Sequence, residues 1–296
     1  MASPVVTIGL PFWNAAGTLT DALRSVFSQS FSDWELILLD DGSVDGSLEI
    51  ARSVRDQRVR VLSDGAHRTL PIRLNQIAEA ARGSYIARMD ADDLMHPERL
   101  RVQIEYLGQH PEVEVVGTAA YTVDTALRVT GFRGARQPCP ANILRSRFFL
   151  HPSVTGRADW FRSNPYSPEF PRAEDLELWC RTYQRSVFGQ LKTPLLYYRE
   201  VGAFALPKYL RSCRLDRRVY HIYGPSMVGV PGTLLMIGRS WAKSAVYTFA
   251  AGLGVTSLLV RRRSQRLTAQ QRGDALAGLK RILLTPVPGL HPSQTR

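Results

Sequence analysis

At 296 residues and 44% hydrophobic content, the chain is long enough to bury a full core in one large domain with an appendage or in two modest domains, which excludes disorder over most of its length. Three scattered cysteines, Cys139, Cys180 and Cys213, with no C-x-x-C pair, exclude a disulfide framework and a cysteine zinc site and fit a reducing setting. The net charge of +12 is unevenly placed: residues 1–200 carry 23 Lys+Arg against 24 Asp+Glu, whereas residues 201–296 carry 15 against 2, so the last third alone calls for an anionic partner, either lipid headgroups or nucleic acid.

The N-terminus, MASPVVTIGLPFWN, has no basic stretch ahead of its short apolar run, so it reads as a first strand and not as a signal peptide. Strand-like runs then alternate with helical patterns: Val5–Leu10 and Leu19–Ser28, Trp34–Leu39 and Ser47–Ser53, Val59–Leu62 and Ile72–Ala81. Tyr85–Met89 and Val113–Thr118 continue the series on either side of a helix over Pro97–His110. Such alternation predicts right-handed crossovers and a mostly parallel, Rossmann-like α/β sheet flanked by helices. Ligands of these sheets bind beyond the carboxyl ends of the strands, and three polar clusters fall there: Pro11–Asn14, Asp40–Ser43 and Asp90–Asp93.

Beyond Thr118 the pattern loosens, with a turn-rich Arg133–Pro140, a loop through His151, a helix over Ala173–Tyr183 and a last strand over Leu195–Tyr198. Acidic residues nearly vanish after about Gly202, which places the division between a catalytic domain at 1–202 and a basic, apolar, helical region at 203–296. Within that region Ser244–Val260 has 17 uncharged residues followed by Arg261, Arg262 and Arg263. As a helix it spans about 26 Å, short of a hydrocarbon core of about 30 Å. With Pro225–Gly238 it forms a re-entrant hairpin or lies in the membrane interface, anchored by Arg239, Trp241, Lys243 and the arginine triplet; a pair of core helices is the other reading.

The stretch YIARMDADDL carries the most chemistry. Carboxylates at i and i+2 on an extended backbone project to one side, so Asp90 and Asp92 suit one hard cation with phosphates beside it, while Asp92 or Asp93 alternatively caps the helix that follows. In WELILLDDGS, a carboxylate at the rim can accept the imide N–H of a pyrimidine, or Asp41 and Ser43 simply shape a turn. In AEDLELWCR, adjacent Glu174 and Asp175 cannot share one helical face, so one points inward, where it suits a general base for a hydroxyl.

Together PFWNAAGTL, LLDDGSVDGS, GSYIARMDADDLMHPERL and EDLELW resemble, in this order over roughly residues 4 to 200, the family 2 glycosyltransferases of GT-A fold. The resemblance implies transfer of a sugar from a nucleotide diphosphate donor of UDP or dTDP type, with inversion at the anomeric carbon. It implies that Asp41 reads the nucleobase, that Asp90 and Asp92 hold the diphosphate and Mg²⁺ or Mn²⁺, and that Asp175, or Glu174 in its place, is the base. Trp13 stands where many relatives carry Tyr and can stack on a base. Pro11, Asn14, Asp40, Asn75 and His151 complete the implied donor site, His151 as a phosphate or metal-side contact, whereas Arg181 and Arg199 either reach the diphosphate or pair with local carboxylates.

The expected acceptor is a saccharide, in particular a lipid-linked one of cell-surface polysaccharide or lipopolysaccharide synthesis, met at the cytoplasmic face of the membrane; no nucleic acid is expected. Two other classes compete. A sugar-phosphate nucleotidyltransferase also uses clustered aspartates and Mg²⁺, but Pro11–Gly17 lacks the basic residue its phosphate loop needs. A non-catalytic basic membrane- or nucleic-acid-binding protein on a degenerate enzyme fold calls for missing carboxylates, and all three clusters are present.

Overall fold

The computed structural model describes residues 3–146, 148–200, 205–253 and 265–290. Its first half is a run of parallel strands: β1 (Val6–Phe12), β2 (Trp34–Asp40), β3 (Val59–Ser63) and β4 (Tyr85–Arg88), joined through α1 (Leu19–Phe27), α2 (Ser47–Ser53) and α3 (Leu70–Ala80). Every residue of β1 and β2 is buried, which is why both read as near-continuous apolar runs and not as alternating ones. Register aligns Phe12 with Asp40 and Gly9 with Arg88, so the chain leaves β1, β2 and β4 along one rim.

Then come β5 (Leu94–Met95), α4 (Arg99–Gln109), β6 (Val115–Val123), β7 (Val129–Arg133), α5 (Pro140–Ser146), a 3-10 turn at His151–Ser153, β8 (Thr155–Arg157), α6 (Ala158–Ser163), α7 (Glu174–Thr182) and β9 (Phe188–Arg199). The sheet runs β3-β2-β1-β4-β8-β6-β9-β5, with β7 paired to β6. It is parallel from β3 to β4 and mixed beyond, because β8 inserts antiparallel to both β4 and β6. The fold is the GT-A-like α/β type expected. β6 reaches Val123 instead of ending near Thr118, and the last strand begins at Phe188 instead of Leu195.

Under α7 lies an aromatic cluster of Phe149, Trp160, Trp179 and Phe188, with Trp160 and Trp179 stacked at 5.9 Å. Trp179 is fully buried, and it anchors the helix whose first turn bears Glu174 and Asp175.

α8 (Leu206–Gly252) is a helical hairpin. Gly229 breaks it with φ of 73°, a left-handed conformation that glycine tolerates without a Cβ penalty. Past it the second arm returns along the first: Gly224 faces Thr233, Arg217 donates to Ser240 and Ser244 at 3.1 and 3.2 Å, and the Tyr209 and Tyr247 rings lie 4.4 Å apart. The first arm is tied to the sheet domain through Tyr223, which donates to Glu177 at 2.7 Å, and through the Arg218–Glu169 ion pair. No helix among the described residues is long and apolar enough to cross a membrane. The expected segment Ser244–Val260 is described only to Leu253; its remainder, the arginine triplet and the 202/203 division lie outside the described residues.

The chain then rejoins the sheet through α9 (Ala269–Leu284), whose Ala275, Leu279 and Ile282 are buried against Leu94, Tyr121 and Tyr197. Tyr121 donates to Asp274 at 2.6 Å and Tyr197 to the Ala275 carbonyl at 2.8 Å. Val287 joins the core of β1, β2 and α1. Residues 265–290 therefore pack as part of the sheet domain.

Candidate active site

The rim formed by β1, β2 and β4 opens into a cavity of about 950 Å³. At one end the chain turns after β2 through Gly42, at φ of 74°, where a Cβ would meet the Ala66–His67 backbone at 2.9 Å. Asp40 shapes this turn, its two oxygens accepting from the Ser43 N–H at 3.0 Å and the Ser63 hydroxyl at 2.9 Å. Asp41 is left to face the cavity. Its Oδ1 accepts from the Arg68 backbone N–H at 2.8 Å and from Arg73 Nε at 2.6 Å, and its Oδ2 lies 3.1 Å from His67 Nδ1. Arg73, buried at 2% exposure, is also held by Asp64, whose carboxyl it keeps well below the usual range. The indole of Trp13, about half exposed, forms the floor, with the His67 ring over it at 4.5 Å.

Past the end of β4 the backbone does not stay extended as the i, i+2 reading assumed. It folds into a turn closed by Asp93 N–H donating to the Asp90 carbonyl at 3.3 Å. That turn brings Asp93 in as well: one carboxylate oxygen from each of Asp90, Asp92 and Asp93 lies within 4.8 Å of the others. Arg88 grips Asp90 with both terminal nitrogens, at 2.6 and 2.9 Å. Asp93 Oδ1 accepts from the Arg199 N–H at 2.8 Å, while its Oδ2 is buried with no hydrogen-bond partner among the described residues. Burial, then the charges of Asp92 and Asp90, push the Asp93 carboxyl well above its ordinary value. Asp92, whose side chain reaches solvent, is pushed up to about 6 by desolvation and by Asp90. Three hard oxygen donors, a buried unpartnered carboxylate oxygen and mutual repulsion fit a divalent cation, which relieves all three at once.

The opposite wall is the first turn of α7. Glu174 and Asp175 are both buried and both line the cavity. The expectation that only one points inward fails because the helix meets the cavity end-on, where residues around its first turn converge on one space. His151 lies alongside, with Nε2 2.9 Å from the Tyr166 hydroxyl and Nδ1 3.7 Å from Glu174.

Pro11, Trp13, Asp41, Asp90, His151, Glu174 and Asp175 are thus brought together, and Asp92 joins through the carboxylate cluster. Asn14, Asp40 and Asn75 do not line the cavity. Asn14 accepts from the Val44 N–H at 2.9 Å, and Asn75 holds the Tyr166 backbone in both directions, at 2.8 and 2.9 Å. All three tie segments together: Asp40 holds the Ser43 N–H and the Ser63 hydroxyl, Asn14 the Val44 N–H, and Asn75 the Tyr166 backbone. Arg181 pairs with Glu177, and Arg199 with Asp21 and the Asp92 carbonyl. Arg73, Arg88 and His67 also line the cavity, beyond the residues expected from the sequence. The first two carried a signal, being arginines inside the apolar patterns LPIRLNQIAEA and YIARM; His67 carried none.

The sequence profile described as "Glycosyl transferase family 2" matches residues 7–165. The chain belongs to this family. A putative glycosyltransferase of Bacillus subtilis (strain 168), EpsE, is 34% identical over 66% of the chain and 73% of its own length. The glycosyltransferase is also 27% identical to WfgD of Escherichia coli, over 59% of the chain and 68% of that protein, which is described as a UDP-Glc:alpha-D-GlcNAc-diphosphoundecaprenol beta-1,3-glucosyltransferase. Among solved structures, the mannosyltransferase PcManGT from Pyrobaculum calidifontis, in complex with GDP-Man and Mn²⁺, shares the fold with a TM-score of 0.59 at 15% identity, covering 96% of the chain and 87% of its own.

Proposed function

We propose that this glycosyltransferase moves a sugar, with inversion, from a UDP- or dTDP-sugar to a hydroxyl of a lipid-linked saccharide at the cytoplasmic face of the membrane, in cell-surface polysaccharide synthesis. The observation that carries the reading is that a single cavity is lined by Trp13 and Asp41, by Asp90 of the three-carboxylate turn, and by Glu174 and Asp175 of the first turn of α7. The donor and acceptor in the description of WfgD support it.

The pyrimidine stacks on Trp13 and donates its imide N–H to Asp41 Oδ2, while Arg73 and the Arg68 N–H hold that carboxylate in place through Oδ1. Asp92 and Asp93, with Asp90, would hold Mg²⁺ or Mn²⁺, which would supply Lewis-acid stabilisation to the charge developing on the diphosphate. His151, beside Glu174 on the wall of the same cavity, contacts the diphosphate side. Asp175 takes the proton of the acceptor hydroxyl as its oxygen bonds to the anomeric carbon and the bond from that carbon to the diphosphate oxygen breaks. Attack opposite the leaving group inverts the centre in one step, as in single-displacement glycosidases, with no sugar bound to the protein. Asp175 is preferred over Glu174 because Glu174 is drawn to His151.

A thermal-shift screen of nucleotide sugars with Mn²⁺ tests the reading, since a ligand that binds only the folded chain raises its unfolding temperature. A uridine or thymidine diphosphate sugar should stabilise and guanosine and adenosine diphosphate sugars should not. Stabilisation by none of them sinks it.

A further inference from the structure

Among the described residues, the second arm of α8 packs against the protein on one side only. Its buried positions, Thr233, Met236, Ser240, Ser244 and Ala250, recur at helical spacing and face the first arm. On the opposite side Leu234, Leu235, Val246, Phe249 and Leu253 are 50 to 71% exposed, and Ala242 lies between them. The stripe runs from Pro231 to Leu253, about 33 Å at the rise of an α-helix. Single exposed apolar residues need no explanation, but five large ones gathered on one face of one helix do. Arg239 and Lys243 border it on one side and Trp241, 60% exposed beneath the Arg217 guanidinium at 3.8 Å, on the other. An apolar stripe edged by cations and an interfacial Trp is the pattern of a helix lying in a bilayer interface.

We infer that the outer face of this arm docks flat on an anionic phospholipid leaflet, with Leu235 and Phe249 among the acyl chains and Arg239 and Lys243 at the headgroup phosphates. Charge decides the occupant. From Arg217 to Gly273 the sequence has no Asp or Glu, so a second copy laid on this face would set cations against cations with nothing acidic to offset them. Lipid phosphate complements the same charges. The first arm of the hairpin supplies Arg211 and Ser212 to the wall of the catalytic cavity, and Tyr209 just before them lies against Tyr247 of the second arm, so a docked second arm holds that cavity close to the leaflet. This deepens the reading of a lipid-linked acceptor and rests on it only for the identity of that acceptor.

The test is sedimentation of the full-length chain with vesicles of phosphatidylcholine alone and of phosphatidylcholine mixed with phosphatidylglycerol. Wild type should pellet with the mixed vesicles and stay largely in solution with the neutral ones. Leu235→Asp/Phe249→Asp should abolish pelleting, and Arg239→Gln/Lys243→Gln should reduce the vesicle partition about 30-fold, the equivalent of roughly 1 kcal/mol per cation. All four positions are exposed, and an unchanged unfolding temperature verifies that the variants fold. Wild type remaining in solution with both vesicle types, or pelleting of the double aspartate variant, overturns the proposal. So does a wild-type dimer that binds no vesicles and that Phe249→Asp makes monomeric, since a second copy is then the occupant. Transfer from a nucleotide sugar to a water-soluble acceptor, measured alongside, separates this outcome from that of the catalytic reading.

Discussion

Arg88 and Asp90 form a two-pronged ion pair at the mouth of β4, with contacts of 2.6 and 2.9 Å between a buried guanidinium and a half-buried carboxylate. Both oxygens of Asp90 are therefore engaged before any ligand arrives. Burial is the largest single influence on Arg88 and disfavours its charge, yet Asp90 together with Tyr166, Glu174 and Asp93 more than offsets it and holds the guanidinium protonated. The exposed oxygens of Asp92 become the most available metal ligands of the three.

Asp92→Asn should accordingly abolish Mn²⁺-dependent transfer, by about 10²- to 10³-fold, the scale of removing one charge-stabilising group from a transition state. The exposed side chain makes no contribution to packing, so the variant should still fold. Normal turnover in this variant would take Asp92 out of the metal site.

The same residue predicts a pH dependence. Its carboxyl is raised in the folded chain to about 6 from an ordinary 3.8. Between these values the folded chain binds more protons than the unfolded one, so the contribution of Asp92 is fully present below about pH 4 and is lost as pH rises through about 6. Without metal, wild type should lose stability over this window relative to Asp92→Asn. Because a ligand carboxylate must be deprotonated, the rise in unfolding temperature produced by Mn²⁺ should be larger at about pH 7 than at about pH 5. Equal metal shifts at both values would contradict the coupling.

Asp175→Asn should keep the nucleotide-induced thermal shift and lose transfer by about 10²- to 10⁴-fold, the usual worth of a general base. Unchanged transfer would hand the role to Glu174, and the corresponding Glu174→Gln variant would then show the loss.

Trp13→Ala should weaken UDP binding by about 1–3 kcal/mol, the value of one base–aromatic stack, read by calorimetry. His67 covers the same indole at 4.5 Å and sits 3.1 Å from Asp41 Oδ2, the atom proposed to accept from the base. His67→Ala should therefore bind UDP at least as tightly as wild type. A loss comparable to that of Trp13→Ala would make His67 a base contact and not a cover.

A chain ended after Gly202 should unfold at a markedly lower temperature than the full chain. It loses Leu279, Ile282 and Val287, all buried against the sheet, each worth roughly 1.5–3 kcal/mol of apolar burial. Differential scanning calorimetry would read the change, and an equal midpoint would show that α9 contributes nothing to the core.

Much of this was legible in the linear chain because the signals are local. Val6–Phe12 and Trp34–Asp40 read as strands from their own apolar runs, and the polar residues that close them mark the rim where parallel strands end. Trp13, Asp41 and Asp90 follow from that rule alone, and Glu174 and Asp175 from a helix start. The finer roles did not follow. Asp40 and Asp41 are neighbours with the same side chain, yet one is spent on the turn and the other faces the cavity, a difference set by Ser63 and Arg73 arriving from β3 and α3. Asn75 looked like a donor contact until Tyr166, 91 positions away, claimed both ends of its amide.

By itself, then, the sequence determined the alternating α/β order, the four motifs, and the concentration of positive charge in the last third, since each is a property of neighbouring residues. The tertiary structure decided that Asp93 joins Asp90 and Asp92, that both α7 carboxylates meet the cavity, and that the basic third divides into an outward-facing hairpin and a helix returned to the sheet. Those outcomes depend on which segments far apart in the chain pack together. Packing sets burial, and burial fixes whether a carboxylate is a cap, a ligand or a base.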